Sequence, residues 1–476
     1  MASAPLQMPF AAAAEDSPKT LVEAVMAKIR HRIATDQLMR GAKLPSVRAL
    51  ASSMKVSTST VVDAYERLVA ERVIRSRPGS GFYVADAVVP LSLAEQEVRQ
   101  DRQVDPLWIS RQSLETTGDF LKPGCGWLPA SWMPEQGMRQ ALRTLARAES
   151  GVLSDYGTPQ GSPALRQLLS RRMAGHGIHA GPDQILITES GTQAIDLLCR
   201  FLIRPGDCVL VDDPCYFNFH ALLRSHRATV IGVPYTKTGP DTTLFAQALR
   251  EHKPRLYITN STAHNPTGAC LSPATARRIA ALAAQSGLTI IEDDIFADFE
   301  TEPAPRLAAL DGLQRVIHIG SFSKTLSASV RCGFIAVRKD WMEGLVDLSI
   351  ASSFGSPRLS AELVLTVLKN GLYRKHMDTL RARLARARQQ TARRLEALRI
   401  RPWIMPEAGI FLWCKLPKGH DAADVARSAL ADNIVLAPGN AFSLTNGASP
   451  YLRFNVAQTH DERIFTSLGR ALKSGR

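Results

Sequence analysis

A single lysine set among small hydroxyl residues, in the run Ser321-Phe322-Ser323-Lys324, constrains this chain more than any other feature. Arg331 follows at short range. Lysine condenses with carbonyl compounds when its pKa is lowered and its position is fixed. Serine hydroxyls and a forked guanidinium are natural phosphate partners. The combination suits a lysine that forms an imine with an aldehyde while its neighbours grip a phosphate, and an aldehyde that carries a phosphate is pyridoxal phosphate. Taken alone, the tetrad also suits an exposed Ser/Lys turn.

Two further runs point the same way. His264-Asn265-Pro266-Thr267-Gly268 follows the apolar run from Leu256 to Ile258 and reads as a strand end entering a turn. Thr289-Ile290-Ile291-Glu292-Asp293-Asp294 is an apolar strand ending in acids. α/β folds bind ligands at such strand ends. A pyridine ring that serves as an electron sink needs a carboxylate at its nitrogen. It also needs a donor at its phenolic oxygen. Asp293 and Asn265 are the candidates.

From about residue 115 to the end, the chain resembles fold-type I, class I aminotransferases. The runs that carry the likeness are Tyr156-Gly157-Thr158-Pro159-Gln160-Gly161, Ser190-Gly191-Thr192-Gln193, Asp213-Pro214-Cys215-Tyr216, the Asn-Pro-Thr-Gly turn, Glu292-Asp293-Asp294, Ser-Phe-Ser-Lys and Leu452-Arg453-Phe454. The resemblance implies that Lys324 carries the cofactor and that Ser321, Ser323 and Arg331 hold its phosphate. Gly191 and Thr192 precede an amphipathic stretch, and a helix N-terminus there favours an anion; a plain helix cap is the alternative. By the same likeness, Tyr216 stacks on the ring, Tyr156 reaches the phosphate of a partner subunit, and Arg453 binds a substrate α-carboxylate. Local sequence alone leaves Tyr216 open to being a core aromatic and Arg453 to being a strand-surface arginine. Two positions depart from the family. Phe296 stands where relatives usually have a tyrosine that bonds the phenolic oxygen, and Ala328 stands where they often have proline.

The first eighty residues form a different unit. Leu21, Val25, Ile29 and Ile33 have helical spacing. Ser46 suits the cap of a short helix, and Ser57 or Ser59 the cap of a second one running to about Val69. Helix, short turn, helix is a DNA-reading arrangement. Arg75 to Val84 then reads as a β-hairpin with a basic, glycine-rich tip. Residues 18–84 hold 12 Lys+Arg and 5 Asp+Glu, a balance of +7, half of the chain's +14. Such concentration suits contact with a phosphate backbone, although a generic basic helical domain has the same charge. The pattern Leu44-Pro45-Ser46-x-Arg48, Val56-Ser57, Thr60-Val61, Ala64-Tyr65-x-x-Leu68 and Gly79-x-Gly81 resembles the winged helix-turn-helix of the GntR class. That likeness implies phosphate contacts from Ser46 and Arg48. It also implies a recognition helix starting through Ser57, Thr58, Ser59 and Thr60, and a wing carrying Arg77 and Gly79. Thr58 replaces an arginine common in relatives, which leaves Arg67 or Arg77 to supply a base contact.

Residues 1–17 are Ala/Pro-rich, lack the pattern of an export signal and are expected to be disordered. Residues 87–114 read as a linker, with a polar run from Glu95 to Gln103 that carries no apolar stripe. The head spans 18–86 and the body 115–476. No apolar run approaches the ~20 residues of a membrane span. Seven scattered cysteines with no C-x-x-C pair suggest a reducing cytoplasm and no metal site. The arginine-rich stretch from Arg374 to Arg401 reads as an amphipathic helix with a solvated basic face, or one that touches DNA.

Head plus body is the plan of the MocR subfamily of GntR-type regulators. The expected fold is α/β, with a winged helix-turn-helix preceding a mainly parallel central sheet and a smaller C-terminal α/β subdomain. The expected function is transcription regulation dependent on pyridoxal phosphate, with an amino compound or the cofactor itself sensed by the body. A head-to-tail homodimer would read two DNA half-sites. A working aminotransferase with a localising head is the alternative, and a repressor with a degenerate, cofactor-free body is a third possibility.

Overall fold

The computed structural model describes residues 20–35, 37–39, 41–71, 73–77, 80–85, 106–115, 119–147 and 151–474. The segment 1–17, most of the expected linker, and Gly79 lie outside them. The chain divides into two compact units, Met1–Asp101 and Arg102–Arg476.

In the first unit, α1 (Leu21–Ala34) starts from a capping box in which Thr20 and Glu23 satisfy each other's backbone amides. Ser46 caps α2 (Val47–Met54), which ends at Lys55 in the left-handed region. Ser57, rather than Ser59, caps α3 (Thr58–Ala70). Strands β1 (Ile74–Arg77) and β2 (Gly81–Val84) pair antiparallel and form the wing. One apolar cluster holds these pieces together, with Val25, Ile29, Leu50, Val61, Leu68 and Ile74 at its centre. Tyr65 joins them most directly. Its buried ring meets Phe82 of the wing edge-on at 4.7 Å, and its hydroxyl donates to the Pro45 carbonyl at 2.8 Å.

The second unit is built on an eight-stranded sheet. Its strands are β3 (Ile185–Thr188), β4 (Cys208–Asp213), β5 (Thr229–Thr236), β6 (Gly239–Pro240), β7 (Leu256–Thr259), β8 (Thr289–Asp293), β9 (Val316–Ser321) and β10 (Gly333–Ala336), in the order β3-β10-β9-β8-β7-β4-β5-β6. Strands β9, β8, β7, β4 and β5 run parallel. Strand β10 is antiparallel to both neighbours, so β3 runs with the parallel set. Strands β3 and β7 are buried along their whole length, as parallel sheets covered on both faces require. A smaller antiparallel sheet follows, from β11 (Arg401–Pro402), β12 (Phe411–Lys415), β13 (Ala437–Pro438) and β14 (Tyr451–Asn455), in the order β11-β12-β14-β13.

The arginine-rich stretch is a helix from Leu372 to Ala397 that buries Tyr373, Met377, Leu380, Leu384 and Leu395. It also buries Arg388, whose guanidinium donates to the Gly409 and Glu407 carbonyls. The expected linker extends too far at its C-terminal side. Pro106–Glu115 forms a helix, α4, packed on the helix Phe217–Ser225. Ile109, deeply buried, joins it to a cluster with Phe217, Trp413 and Phe442.

Replacing Tyr65 by Ala removes its ring contact with Phe82 of the wing and its hydroxyl's bond to the Pro45 carbonyl before α2. The expected cost is about 3–5 kcal/mol within the head. Limited proteolysis should then open the chain within residues 20–84 while the body resists. A head as resistant as wild type would contradict this packing.

Candidate functional site

Because β3, β4, β7, β8 and β9 run the same way, their C-terminal ends lie on one edge of the sheet. They deliver Ser190-Gly191, Asp213, Asn260, Asp293 and Ser321 to that edge. This is where open parallel sheets bind ligands.

Lys324 follows the end of β9. Its Nζ donates to the Gly126 carbonyl at 2.7 Å. Loss of solvation, together with the nearby Arg453 guanidinium, lowers its pKa to about 8. Roughly a tenth of the amine is then neutral at pH 7, far more than for an ordinary lysine. Gly126 lies beside it: a Cβ there would stand in ordinary contact, 3.8 Å from Lys324 Nζ and 4.0 Å from Arg453 Nη2.

Asp293 ends β8 and is buried. Burial raises its pKa to about 7, with donation from Asn260 opposing. Its Oδ1 accepts from the Ile295 amide at 3.3 Å, and among the described residues it has no ion-pair partner. A buried carboxyl in that state suits a ligand N–H. Arg453, central in β14, is its counterpart. The side chain is 1 % exposed, yet no carboxylate of the described residues pairs with it. Nη1 donates to Asn265 Oδ1 at 2.7 Å and Nη2 to the Gly124 carbonyl at 2.7 Å, while Nε has no partner. The guanidinium lies over Phe411 at 4.2 Å and Phe442 at 4.7 Å. Tyr216 sits within range of both charges. Burial raises its pKa, the Arg453 charge opposes, and the Asp293 charge adds.

A phosphate-sized cup completes the group. Ser190 caps the helix Gly191–Leu202, its Oγ accepting from the Gln193 amide. Arg331 Nη2 donates to the same Ser190 Oγ at 2.9 Å. Arg331 holds a left-handed backbone, φ 53°, a conformation costly outside glycine. Ser321 and Ser323 hydroxyls are linked at 3.1 Å. A Cβ on Gly191 would come within 3.8 Å of Ser321, so the helix N-terminus abuts the serine pair. Free amides, two hydroxyls and one guanidinium then face one place.

These residues fit pyridoxal phosphate. Asp293 offers a carboxylate for a ring N–H, the cup offers donors for the phosphate, and Gly126 lies beside the amine. Lys324, Asp293, Asn265, Tyr216, Gly191, Thr192, Ser321, Ser323 and Arg331 are brought to one edge, with Arg453 beside them. Tyr156 is not. It is 78 % exposed and leans on Phe354, itself 69 % exposed, with ring centroids 5.1 Å apart. Phe296 is fully buried against Phe411 and Phe299 and brings no hydroxyl. Ser190 and Gly126 were missed as site residues. The serine reads as a cap, and Gly126 lies in a loop with no signal of its own.

On the head, Arg48, Thr58 and Ser59 are exposed and Thr60 is half-buried near the starts of α2 and α3. Ser46 and Ser57 spend their hydroxyls as caps. Arg67 is held by Asp63 in a bidentate pair at 2.9 and 3.0 Å, which a base contact would have to displace. Arg77 lies over the Tyr83 ring at 4.7 Å on the wing.

Comparison with known proteins agrees with both halves. Residues 21–84 match the family of bacterial regulatory proteins, gntR family, and residues 130–468 match aminotransferase class I and II. The chain is 30% identical over 446 residues to YdcR of Escherichia coli strain K12, an uncharacterized HTH-type transcriptional regulator, covering 92% of this chain and 95% of that one. It is also 30% identical to the HTH-type transcriptional regulator NorG of Staphylococcus aureus strain USA300, covering 78% and 86%. Among solved structures, the α-aminoadipate aminotransferase LysN of Thermus thermophilus, complexed with N-(5'-phosphopyridoxyl)-L-leucine, aligns with TM-score 0.69 and 26% identity over 76% of this chain and 94% of that one. An archaeal alanine:glyoxylate aminotransferase aligns with TM-score 0.72 and 25% identity, covering 77% and 94%.

The amine at Lys324 supplies a direct check. In cofactor-free protein, labelling of Lys324 by an amine-reactive reagent, followed by peptide mass spectrometry, should rise with pH through a midpoint near 8. Arg453→Leu removes a neighbouring positive charge and should move that midpoint upward. A midpoint in the ordinary lysine range in wild-type protein would contradict the site's electrostatics.

Proposed function

The chain belongs to the MocR subfamily of GntR-type transcription regulators, a winged DNA-reading head fused to an aminotransferase class I and II body, and we propose that it senses an amino compound in the body and answers at DNA. The observation that carries this reading is one chain holding both a helix-turn-helix and a cofactor site whose lysine, carboxylate, arginine and phosphate cup all converge.

Pyridoxal phosphate, when bound, supplies an aldehyde carbon open to amines and a ring that draws electrons. The rest is done by side chains. Lys324 would hold the aldehyde end, Asp293 the ring nitrogen and Asn265 the phenolic oxygen, and Tyr216 would lie beside the ring. Ser321, Ser323, Arg331, Gly191 and Thr192 hold the phosphate. Arg453 receives the carboxylate of an amino acid effector. In the cofactor-free site, a seated carboxylate would offset the part of the Lys324 pKa lowering that Arg453 contributes.

An effector shifts a regulator only through unequal affinity for its two states. Two heads in a homodimer can read two half-sites, and small changes of spacing then alter avidity. The exposed Tyr156–Phe354 pair suits a subunit interface in which Tyr156 reaches the partner's phosphate, and we infer a head-to-tail dimer. Phe296 leaves Asn265 to control the phenolic oxygen without a tyrosine hydroxyl. That favours slow sensing over rapid transamination. No helix among the described residues is long and apolar enough to cross a membrane. The partner is DNA and all seven cysteines are free thiols, so the inferred location is the cytoplasm.

Two substitutions separate the modules. Arg48→Ala should weaken DNA binding across sequences and reduce the salt slope by about one, as loss of a phosphate contact does; an unaltered slope contradicts the contact. Lys324→Ala should leave DNA binding in place while a panel of amino acids no longer changes it. Loss of DNA binding itself, or a response that survives, would contradict the division of labour.

A further inference from the structure

The body carries a second pocket, of about 290 Å³, which none of the residues assigned to the cofactor lines. That volume is at the small end of ligand sites, roughly 300–1,000 Å³. Four aromatic residues contribute to its wall. Trp413 and Tyr451 stack with centroids 5.2 Å apart and planes 3° from parallel, and Trp403 and Tyr235 join them. Asp213, at the end of β4, is the only charged residue of the lining. Its Oδ1 is buried without a hydrogen-bond partner. No cation among the described residues pairs with it. Burial pushes its carboxyl above the usual range, opposed by donors of the loop Ser443 to Thr445. A carboxylate withdrawn from water without a counter-charge is costly. Aromatic rings beside one buried acid oxygen suit a partly desolvated cation, although Tyr235 also stacks on His264 and Lys415 Nζ lies 5.9 Å from the Tyr451 ring centroid.

The pocket is joined to the cofactor-site residues by direct ring contacts. Trp413 meets Phe442 edge-on at 5.7 Å, and the Arg453 guanidinium lies over that same Phe442. On the other side, Tyr235 stacks on His264 at 3.8 Å, the residue before Asn265, which accepts from Arg453. Ile109 of α4 packs into the cluster of Phe217, Trp413 and Phe442. In sequence, α4 is the first helix of the body after the segment leading from the head.

We propose that this pocket binds a small organic cation, an ammonium or guanidinium on an apolar or aromatic body, as an accessory ligand separate from the cofactor site. Asp213 pairs with the charge, and Trp403, Trp413, Tyr451 and Tyr235 enclose the rest. Its occupancy is transmitted to Arg453 through Phe442 and to α4 through the shared aromatic cluster. The pocket does not depend on the cofactor reading.

The probe is benzyltrimethylammonium, which has no N–H and cannot condense with an aldehyde. Full-length, cofactor-loaded protein is titrated with it while tryptophan fluorescence is followed, with phenylacetate as the anionic control. Saturable binding of the cation and none of the anion is expected. Asp213→Asn should bind at least about tenfold more weakly, the scale of a lost cation contact in a desolvated site, with cofactor absorbance retained. Trp403→Leu should weaken binding similarly and decides the matter if Asp213→Asn fails to fold. Lys324→Ala should bind as wild type. No saturable signal in wild-type protein, equal binding of phenylacetate, undiminished affinity in the folded variants, or loss of binding in Lys324→Ala would each overturn the proposal. The last outcome would mean that the cation sits in the cofactor site.

Discussion

A guanidinium buried without a carboxylate is the constraint on which the body's arrangement turns. Arg453 stands in the middle of β14 and reaches out of the small sheet to the Asn265 turn after β7 and to the Gly124 carbonyl. Burying such a charge is expensive unless it is neutralised or fully bonded. Here two hydrogen bonds and the faces of Phe411 and Phe442 offset part of the cost, and Nε stays unpartnered. Under the proposed function, an effector carboxylate would complete the group. Burial lowers the pKa of Lys324 to about 8, and the same Arg453 charge adds to the lowering.

Asp293 plays the opposite part. It is a buried acid with no ion-pair partner among the described residues, its pKa raised to about 7 by burial. Two unmatched charges of opposite sign, each fixed by its own strand, leave a polar gap between them that a zwitterionic or ring-bearing ligand can bridge. Parallel strands make this possible because they deliver residues far apart in sequence to one edge. The helix Gly191–Leu202 adds its free amides at that edge, and the strained backbone of Arg331 turns its side chain toward the capping serine. The head works by different means. Its small core rests on Tyr65, and its outward face is basic and hydroxyl-rich.

Much of this was legible in the sequence because the decisive residues occur in short runs. Ser321 to Lys324 and Glu292 to Asp294 each lie within a few positions, and strand patterns immediately precede them. The helix-turn-helix showed through its caps and its spacing. The rest depends on contacts between distant segments. Gly126 meets Lys324 across 198 residues, and Ser190 meets Arg331 across 141; no local pattern announces either. Helix α4 was taken for linker because a polar run precedes it and its Ile109 packs on Phe217, Trp413 and Phe442, all distant in sequence. Arg67 read as a free base-reading cation because i,i+4 pairing with Asp63 is equally compatible with an exposed helix face. The aromatic pocket escaped notice because Asp213, Tyr235, Trp403 and Tyr451 come from four separate stretches.

The most direct test of the whole scheme is to incubate purified protein with pyridoxal phosphate, record the absorbance, reduce with borohydride and map the product by peptide mass spectrometry. A visible or near-ultraviolet band that converts to one stable pyridoxyl adduct on Lys324 is the expected result. A colourless protein with no adduct, or an adduct spread over surface lysines, would contradict it.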